Sequence, residues 1–402
     1  MSVVTKYFNC NILKNGQFLP LDLWVEDGKI IDPEIIFYDQ RRLPDIEIDC
    51  LDSFIVPGFI DLQINGAFGI DFTHNCGEGL DIVRKALLQY GITGFCPTIV
   101  TTTATNYHKT LPKLKRCQGS SLGAAILGAH VEGPFISTQK PGAHNISNIK
   151  TLNQTNLFDT FGDLENISIV TLAPELDGSM EVIKKLSQKG IVVSMGHTSA
   201  DFTTGREAIK NGAKFVTHLF NAMLPFHHRD PGLIGLMACS PNEKNTIYFG
   251  IIADDIHTHY TALKIAHKIN PKGLVLVTDA LSVSGLSNGI HHLGDKQIEV
   301  KDSKAYIFNT KTLCGSMTSL NECLRNFIKA TDCSLPEAIE TVTLHPAQVL
   351  GIEHIKGTLN FGADADFVFI ESNLNILSTW IGGKCVFQNK ERSGYKIKKI
   401  IT

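Results

Sequence analysis

Eight short apolar runs between residues 54 and 280 limit the fold of this 402-residue chain more than any other feature. In order they read FIVPGFIDLQI, GITGFCPTIVT, AAILGAHVEGP, ISIVTLAPE, GIVVSMGHT, AKFVTHLFNA, TIYFGIIADDIH and GLVLVTDA. Most are separated by amphipathic stretches such as GLDIVRKALLQY, MEVIKKLSQK, DFTTGREAIKNG and HYTALKIAHKI. Strands that alternate with helical patterns predict βα units and a parallel sheet, and eight such units close a (β/α)8 TIM barrel. A doubly wound open sheet is the rival, but no G-x-G-x-x-G follows the first run. Nearly every run also ends in polar residues: Gln63 and Asn65, His130 and Glu132, Glu175, His197, His218, Asp254 and His257, Asp279. A closed barrel gathers those ends at one mouth, where active sites lie, whereas an open sheet spreads them along an edge. The pattern therefore predicts an α/β barrel.

The flanks have a different texture. Residues 1–56 form short alternating pieces, with EDGK between Leu23-Trp24-Val25 and Ile30-Ile31 as a hairpin signal. Short strands around FGADAD and IGGK repeat that texture near the C-terminus. We expect residues 1–56 and 355–402 to pair into one small β-sandwich domain, with the barrel spanning 57–354. Hydrophobic content of 43% supplies a sizeable core, and a net charge of −3 gives no nucleic-acid or membrane surface. Ten cysteines without a CxxC pair read as reduced thiols, and no run reaches the roughly 18 apolar residues of a membrane span. The expectation is a cytoplasmic protein with no membrane or nucleic-acid partner.

Chemistry concentrates at the run ends. A lone Glu132 is more often a solvated loop residue, and a lone His197 or His218 more often structural, than a ligand. Together they place one carboxylate and two imidazoles at one mouth, a set that suits a zinc ion with a position open for water. Asp279 ends the eighth run across from Glu132, where a carboxylate can take a proton from the attacking water.

The segments VPGFIDLQINGAFGIDF, HVEGPFIS, KPGAHN, APE, GHTSADF, THLFNAM, RDPGLIG, IIADDIHTH, LVTDAL, CGSMTSL and HPAQVLGIEHIKGTLNFGADADFVFI occur in that order. In them the chain resembles, over nearly its whole length, the N-acetylglucosamine-6-phosphate deacetylases of the amidohydrolase superfamily. The resemblance implies hydrolysis of N-acetylglucosamine 6-phosphate to glucosamine 6-phosphate and acetate. It implies Glu132, His197 and His218 as metal ligands and Asp279 as the catalytic acid/base. Ala143 and His144 match substrate contacts, His144 near the acetamido carbonyl, and Asn221 and Ala222 match a further pair. Arg229 and His257 match the phosphate-binding positions, with the arginine supplied across a homodimer. Leu313, Cys314 and Gly315 match a backbone segment at the substrate, Cys314 standing where a small residue is usual. Many superfamily members carry His-x-His at the end of the first strand for a second metal. Gln63 and Asn65 occupy those positions here, and neutral amides are weak zinc ligands. One divalent ion per chain is therefore expected, zinc foremost, with the two amides contacting water or a sugar hydroxyl. His227 and His228 are expected to face solvent, and His74, His108, His267, His291, His292 and His354 to be surface or structural residues. Two alternatives stand beside this reading. Another amidohydrolase acting on a cyclic amide would not need Arg229 and His257. A non-catalytic scaffold usually loses a ligand or the strand-eight aspartate.

Overall fold

The computed structural model describes residues 2–152, 156–239, 247–293, 296–301, 304–310, 315–392 and 394–400. The eight runs correspond one for one to eight barrel strands: β1 (Phe59–Ile64), β2 (Ile92–Val100), β3 (Ala129–Glu132), β4 (Ile167–Leu172), β5 (Val192–Met195), β6 (Ala213–Val216), β7 (Tyr248–Ile251) and β8 (Leu274–Leu276). Every neighbouring pair from β1 to β8 is parallel. Strands buried on both faces read as continuous apolar runs, which is why they stand out in the sequence. The ring closes through a sparse seam. At the mouth, the Asp279 N–H donates to the Gln63 carbonyl at 2.9 Å, and Ile64 bridges Ala280. At the far end, the Val342 carbonyl takes the Ile60 N–H at 2.8 Å and the Thr341 carbonyl takes the Leu276 N–H at 3.1 Å.

The four amphipathic stretches form α1 (Cys76–Leu87), α4 (Ser179–Gln188), α5 (Phe202–Lys210) and α6 (Tyr260–Ile269). Short helices α2 (Ala104–Thr110) and α3 (Asn156–Phe161) lie between α1 and α4, and α7 (Leu320–Thr331), α8 (Leu335–Glu340) and α9 (Leu344–Leu350) follow β8. Helix α5 starts where the Asp201 side chain accepts from the Thr204 N–H at 2.7 Å, satisfying one unpaired amide of its first turn. In α4, Val182, Ile183 and Leu186 are buried, as their helical spacing requires. Between β6 and β7 the only helical segment among the described residues is a 3-10 stretch, Leu233–Ala238. None of the helices formed by the described residues is long and apolar enough to cross a membrane.

Both ends of the chain meet in one nine-stranded mixed sheet. The strand Ile46–Pro57 runs parallel to Val4–Lys14 and antiparallel to Phe367–Ile370 and Lys396–Ile400. The expected hairpin pairs Val25 with Ile30 and Glu26 with Lys29. Its two turn residues, Asp27 (φ +49°) and Gly28 (φ +76°), are both left-handed, as a tight two-residue hairpin demands. The sandwich-like unit has its own aromatic core of Tyr7, Phe367, Phe369 and Trp380, with Tyr7 edge-on to Trp380 at 5.4 Å between centroids. Its long strand passes into β1 through Gly58, where a Cβ would lie 2.0 Å from Thr93 Oγ1, so only glycine lets the two bodies join this closely.

Candidate active site

Strand β3 delivers Glu132 to the mouth and then stops at Gly133, whose φ of +86° and missing Cβ let Thr101 approach. Glu132 Oε1 lies 3.1 Å from His197 Nε2 and 3.0 Å from His218 Nε2, and the two nitrogens are 3.0 Å apart. All three side chains are buried. His197 Nδ1 lies 3.0 Å from the Lys140 carbonyl, which can only accept, so that nitrogen carries a proton. In the neutral ring Nε2 is then a lone pair aimed at a carboxylate oxygen and at another imidazole. Three such atoms converge only around positive charge.

A cation fits this triangle. A tetrahedral dication with bonds of roughly 2.0–2.1 Å to imidazole spaces its ligand atoms roughly 3.3–3.4 Å apart, a few tenths beyond the edges seen here. The Lys140 carbonyl fixes the tautomer of His197 from behind, as outer-shell partners of metal-bound histidines do. Glu132, His144 and His197 also come within 4.8 Å of one another. His144 nevertheless stands apart: its Nε2 is 4.0 Å from Glu132 Oε2, and its Nδ1 accepts the Thr101 N–H at 3.2 Å. An Nδ1 that accepts leaves the proton of the neutral ring on Nε2, making that atom a donor rather than a ligand. His218 completes the tighter set.

Charge at the site follows from burial and neighbours. Burial opposes ionisation of Glu132, yet its contacts with His197 and His218 outweigh it and hold the carboxyl well below its ordinary range. Burial likewise opposes a charged His218, and Glu132 reverses the sign and raises it. Asp279, past the end of β8, has the opposite balance. Desolvation and then the Glu132 charge push it up to about 6. Its Oδ1 accepts from Asn65 Nδ2 at 2.7 Å and from Gln63 Nε2 at 3.1 Å, and Gln63 Nε2 also reaches Glu132 Oε1 at 3.1 Å. The two amides thus face the site together from β1. Their oxygens, Gln63 Oε1 and Asn65 Oδ1, are buried without a partner among the described residues.

The backbone bends sharply to aim these groups. His197 (φ +49°), His218 (φ +28°) and Asp279 (φ +47°) are all left-handed, as are Phe220 and Ala222 in the turn after His218. Such conformations cost on the order of 1–3 kcal/mol each and cluster where function demands a fixed side-chain direction.

Asn221 is tied to the His218 carbonyl at 2.9 Å, and the Ala222 carbonyl holds the Thr198 N–H at 3.1 Å. Ala143 is exposed beside His144. Gly315 (φ +131°) packs on Leu281, while Leu313 and Cys314 lie outside the described residues. His257 is paired with Asp254, and Arg229, His227 and His228 stand exposed on one loop. Sequence reading missed Thr101, which sets the His144 tautomer, and Asp61; it put His130 at the mouth with Glu132, whereas the structure puts it in a polar layer beneath the site. There His130, fully buried, bridges the Leu62 carbonyl at 2.9 Å and Thr171 Oγ1 at 2.7 Å. Asp61 accepts from Thr278 Oγ1 at 2.6 Å, and burial pushes it up to about 7. The signal for both was period two: His130 precedes Glu132, and Asp61 precedes Gln63, by two residues on the same strand face.

The sequence matches the amidohydrolase family profile over residues 54–386. The chain belongs to the amidohydrolase family. Within it, the N-acetylglucosamine-6-phosphate deacetylase of Rattus norvegicus is 49% identical over 398 residues, covering 97% of each chain. That of Bacillus subtilis (strain 168) is 34% identical over 389 residues, covering 94% of this chain and 95% of the relative. The crystal structure of the N-acetylglucosamine-6-phosphate deacetylase from Pasteurella multocida superposes with a TM-score of 0.84 at 28% identity, over 96% of this chain and 100% of that one. The resemblance carried by the ordered motifs is borne out, and the site of this amidohydrolase includes a group of residues able to hold a metal ion.

Proposed function

We propose that this amidohydrolase removes the acetyl group from N-acetyl-D-glucosamine 6-phosphate, giving D-glucosamine 6-phosphate and acetate. The observation that carries the reading is the Glu–His–His triangle, flanked by a carboxylate raised to about 6 and by the Nε2–H of His144. Glu132, His197 and His218 hold one divalent cation, zinc being the ion this donor set favours, and when bound it supplies Lewis-acid polarisation and makes water more acidic. Asp279 accepts a proton from the attacking water. Oδ1 is already engaged by two amide N–H groups, so the proton goes to Oδ2 and from there to the departing amine nitrogen. The His144 Nε2–H donates to the acetamide oxygen as negative charge develops on it.

Ala143, Asn221, Ala222, Leu313, Cys314 and Gly315 shape the sugar pocket in this reading, and Gln63 and Asn65 offer their unpaired oxygens to water or a hydroxyl. Arg229 and His257 hold the phosphate, with Arg229 crossing a homodimer interface to serve the partner's site. Its exposure, with no side-chain partner among the described residues, supports that role. We assign the catalytic body to residues 57–354 and the sandwich to 1–56 with 355–402. Nine described cysteines, all free, support a cytoplasmic setting. An acetate-release assay on zinc-loaded protein tests the whole reading. Turnover of the phosphorylated sugar well above that of free N-acetylglucosamine or a cyclic amide is expected. A preference for the cyclic amide, or no release at all, would overturn it.

A further inference from the structure

Strand β7 is followed by a buried carboxylate that the deacetylation chemistry does not use. Asp254 has a fully buried side chain, and its Oδ2 lies 2.6 Å from His257 Nδ1. Its Oδ1 accepts the Ile256 and His257 N–H groups at 2.9 and 2.7 Å. Burial works against this charge, but His257 outweighs it and keeps the carboxyl below its ordinary value. The same contact settles the ring. A carboxylate only accepts, so Nδ1 must carry a proton, and the free end of the imidazole is Nε2. The side chain of His257 retains 18% exposure at the mouth.

If the ring were neutral, Nε2 would present a lone pair to any incoming anion and repel it. Only the doubly protonated ring turns an N–H and a positive charge outward. Burial disfavours that form, and the Asp254 carboxylate outweighs burial and raises the histidine. The other charges acting on His257 are Asp279, which favours the cation, and His218, which opposes it. From α7, Cys323 lies near Asp254 as a thiol that burial keeps protonated, and Asn326 holds the Ala253 carbonyl at 3.0 Å.

We infer that Asp254 is a positioning residue that makes His257 a fixed cation, its Nε2–H presented to the phosphate of the substrate. This rests on the phosphorylated-sugar reading above. It adds that phosphate affinity depends on a buried carboxylate that never touches the substrate. Asp254→Asn tests it with little change of shape. The amide oxygen can keep both backbone N–H bonds, while its NH2 faces Nδ1 and forces that nitrogen to accept. His257 then becomes a neutral Nε2–H donor without charge.

The comparison is kcat and KM of native and variant enzyme, each with N-acetylglucosamine 6-phosphate and with free N-acetylglucosamine. Losing the charge of one charge-assisted hydrogen bond predicts a KM for the phosphorylated sugar raised about tenfold or more. Its kcat and both constants for the free sugar should stay within about twofold of native, the range expected for a change confined to binding of the phosphate. An equal loss on both sugars would make Asp254 merely structural and overturn the inference, as would no change on either. Equal use of the two sugars by the native enzyme would instead remove the phosphate reading beneath it. Should the variant fail to fold, NMR of the histidine ring nitrogens in native protein with inorganic phosphate decides, the His257 signals being assigned by their loss in His257→Gln. Both nitrogens protonated at neutral pH supports the inference; a bare Nε2 overturns it.

Discussion

Glu132, His197 and His218 on one side of the mouth are at most 4% exposed, and each is oriented by contacts from its own chain. On the loop after β6, Phe226 is 61% exposed, and His227, His228 and Arg229 stand in solvent beside it. The first group is finished by folding. The second presents an exposed guanidinium with no side-chain partner among the described residues. The difference teaches where folding alone fixes a side chain: the buried group is preorganised within the barrel, while the charge on the exposed loop is left free to meet whatever approaches it.

Predictions that strike the buried side should remove turnover of any acetylated sugar. The largest is metal removal. Chelation should abolish acetate release and lower Tm, because a ligand that binds only the folded state stabilises it. Adding back zinc should restore activity at close to one ion per chain, since neutral Gln63 and Asn65 cannot offset the repulsion of a second dication. Elemental analysis of dialysed, active protein showing two stoichiometric ions would contradict this. Next, Asp279→Asn should keep fold and metal and lose about 10²–10⁴-fold in kcat with phosphorylated and free sugar alike. Near-native turnover would remove Asp279 from the mechanism.

On the exposed side the effect should be smaller and selective. Arg229→Ala should cut kcat/KM for the phosphorylated sugar by about 10–100-fold, the range of a charge-assisted contact, and leave the free sugar nearly unchanged. Mixing Arg229→Ala with Asp279→Asn subunits sharpens the point. Recovered activity after subunit exchange means the arginine crosses to the partner, whereas none means that it serves its own site.

Two pH dependences are smaller still. Asp279 must be ionised to accept a proton, and without a cation it is pushed up to about 6. A nearby dication favours the carboxylate, so kcat/KM of the loaded enzyme should fall with acid only below about 6. A limb well above that value would point to another group. Away from the mouth, buried His345 donates Nδ1–H to the Leu274 carbonyl at 2.7 Å, and burial lowers it from 6.5 to about 4. The unfolded chain takes up this proton first, so stability should decline as pH falls from about 6.5 toward 4. His345→Gln should flatten that part of a denaturation series, and an unchanged slope would exclude the histidine as its source.

The barrel was legible because a strand buried on both faces cannot hide its apolar run, and because the polar residue ending each run marks the mouth. Glu132, His197, His218 and Asp279 emerged from that rule. What stayed illegible depends on contacts remote in sequence or made by the backbone. The Lys140 carbonyl orients His197 from 57 positions away, and nothing in the side chain of a lysine announces its carbonyl. Likewise, the antiparallel strands Gly289–Leu293, Lys296–Lys301 and Lys304–Ile307 after Asp279 carry an alternation too short to stand out, Ile298 and Val300 in one and Ala305 and Ile307 in the next. Their small apolar face buries Ile298, Val300 and Ala305 against Leu281 and Val283, contacts that only the folded chain brings together.

The strand Ile46–Pro57 pairs with the start of the chain and, on its other edge, with strands that begin at Phe367. On the ribosome that second edge lies bare until about 310 further residues have been made. At about 5–20 residues per second the wait is roughly a quarter of a minute to a minute. An open edge bearing Ile55 and Val56 invites pairing with another nascent chain during that interval. The small sheet is therefore secured only after the barrel strands have been made, although its first strand precedes them all.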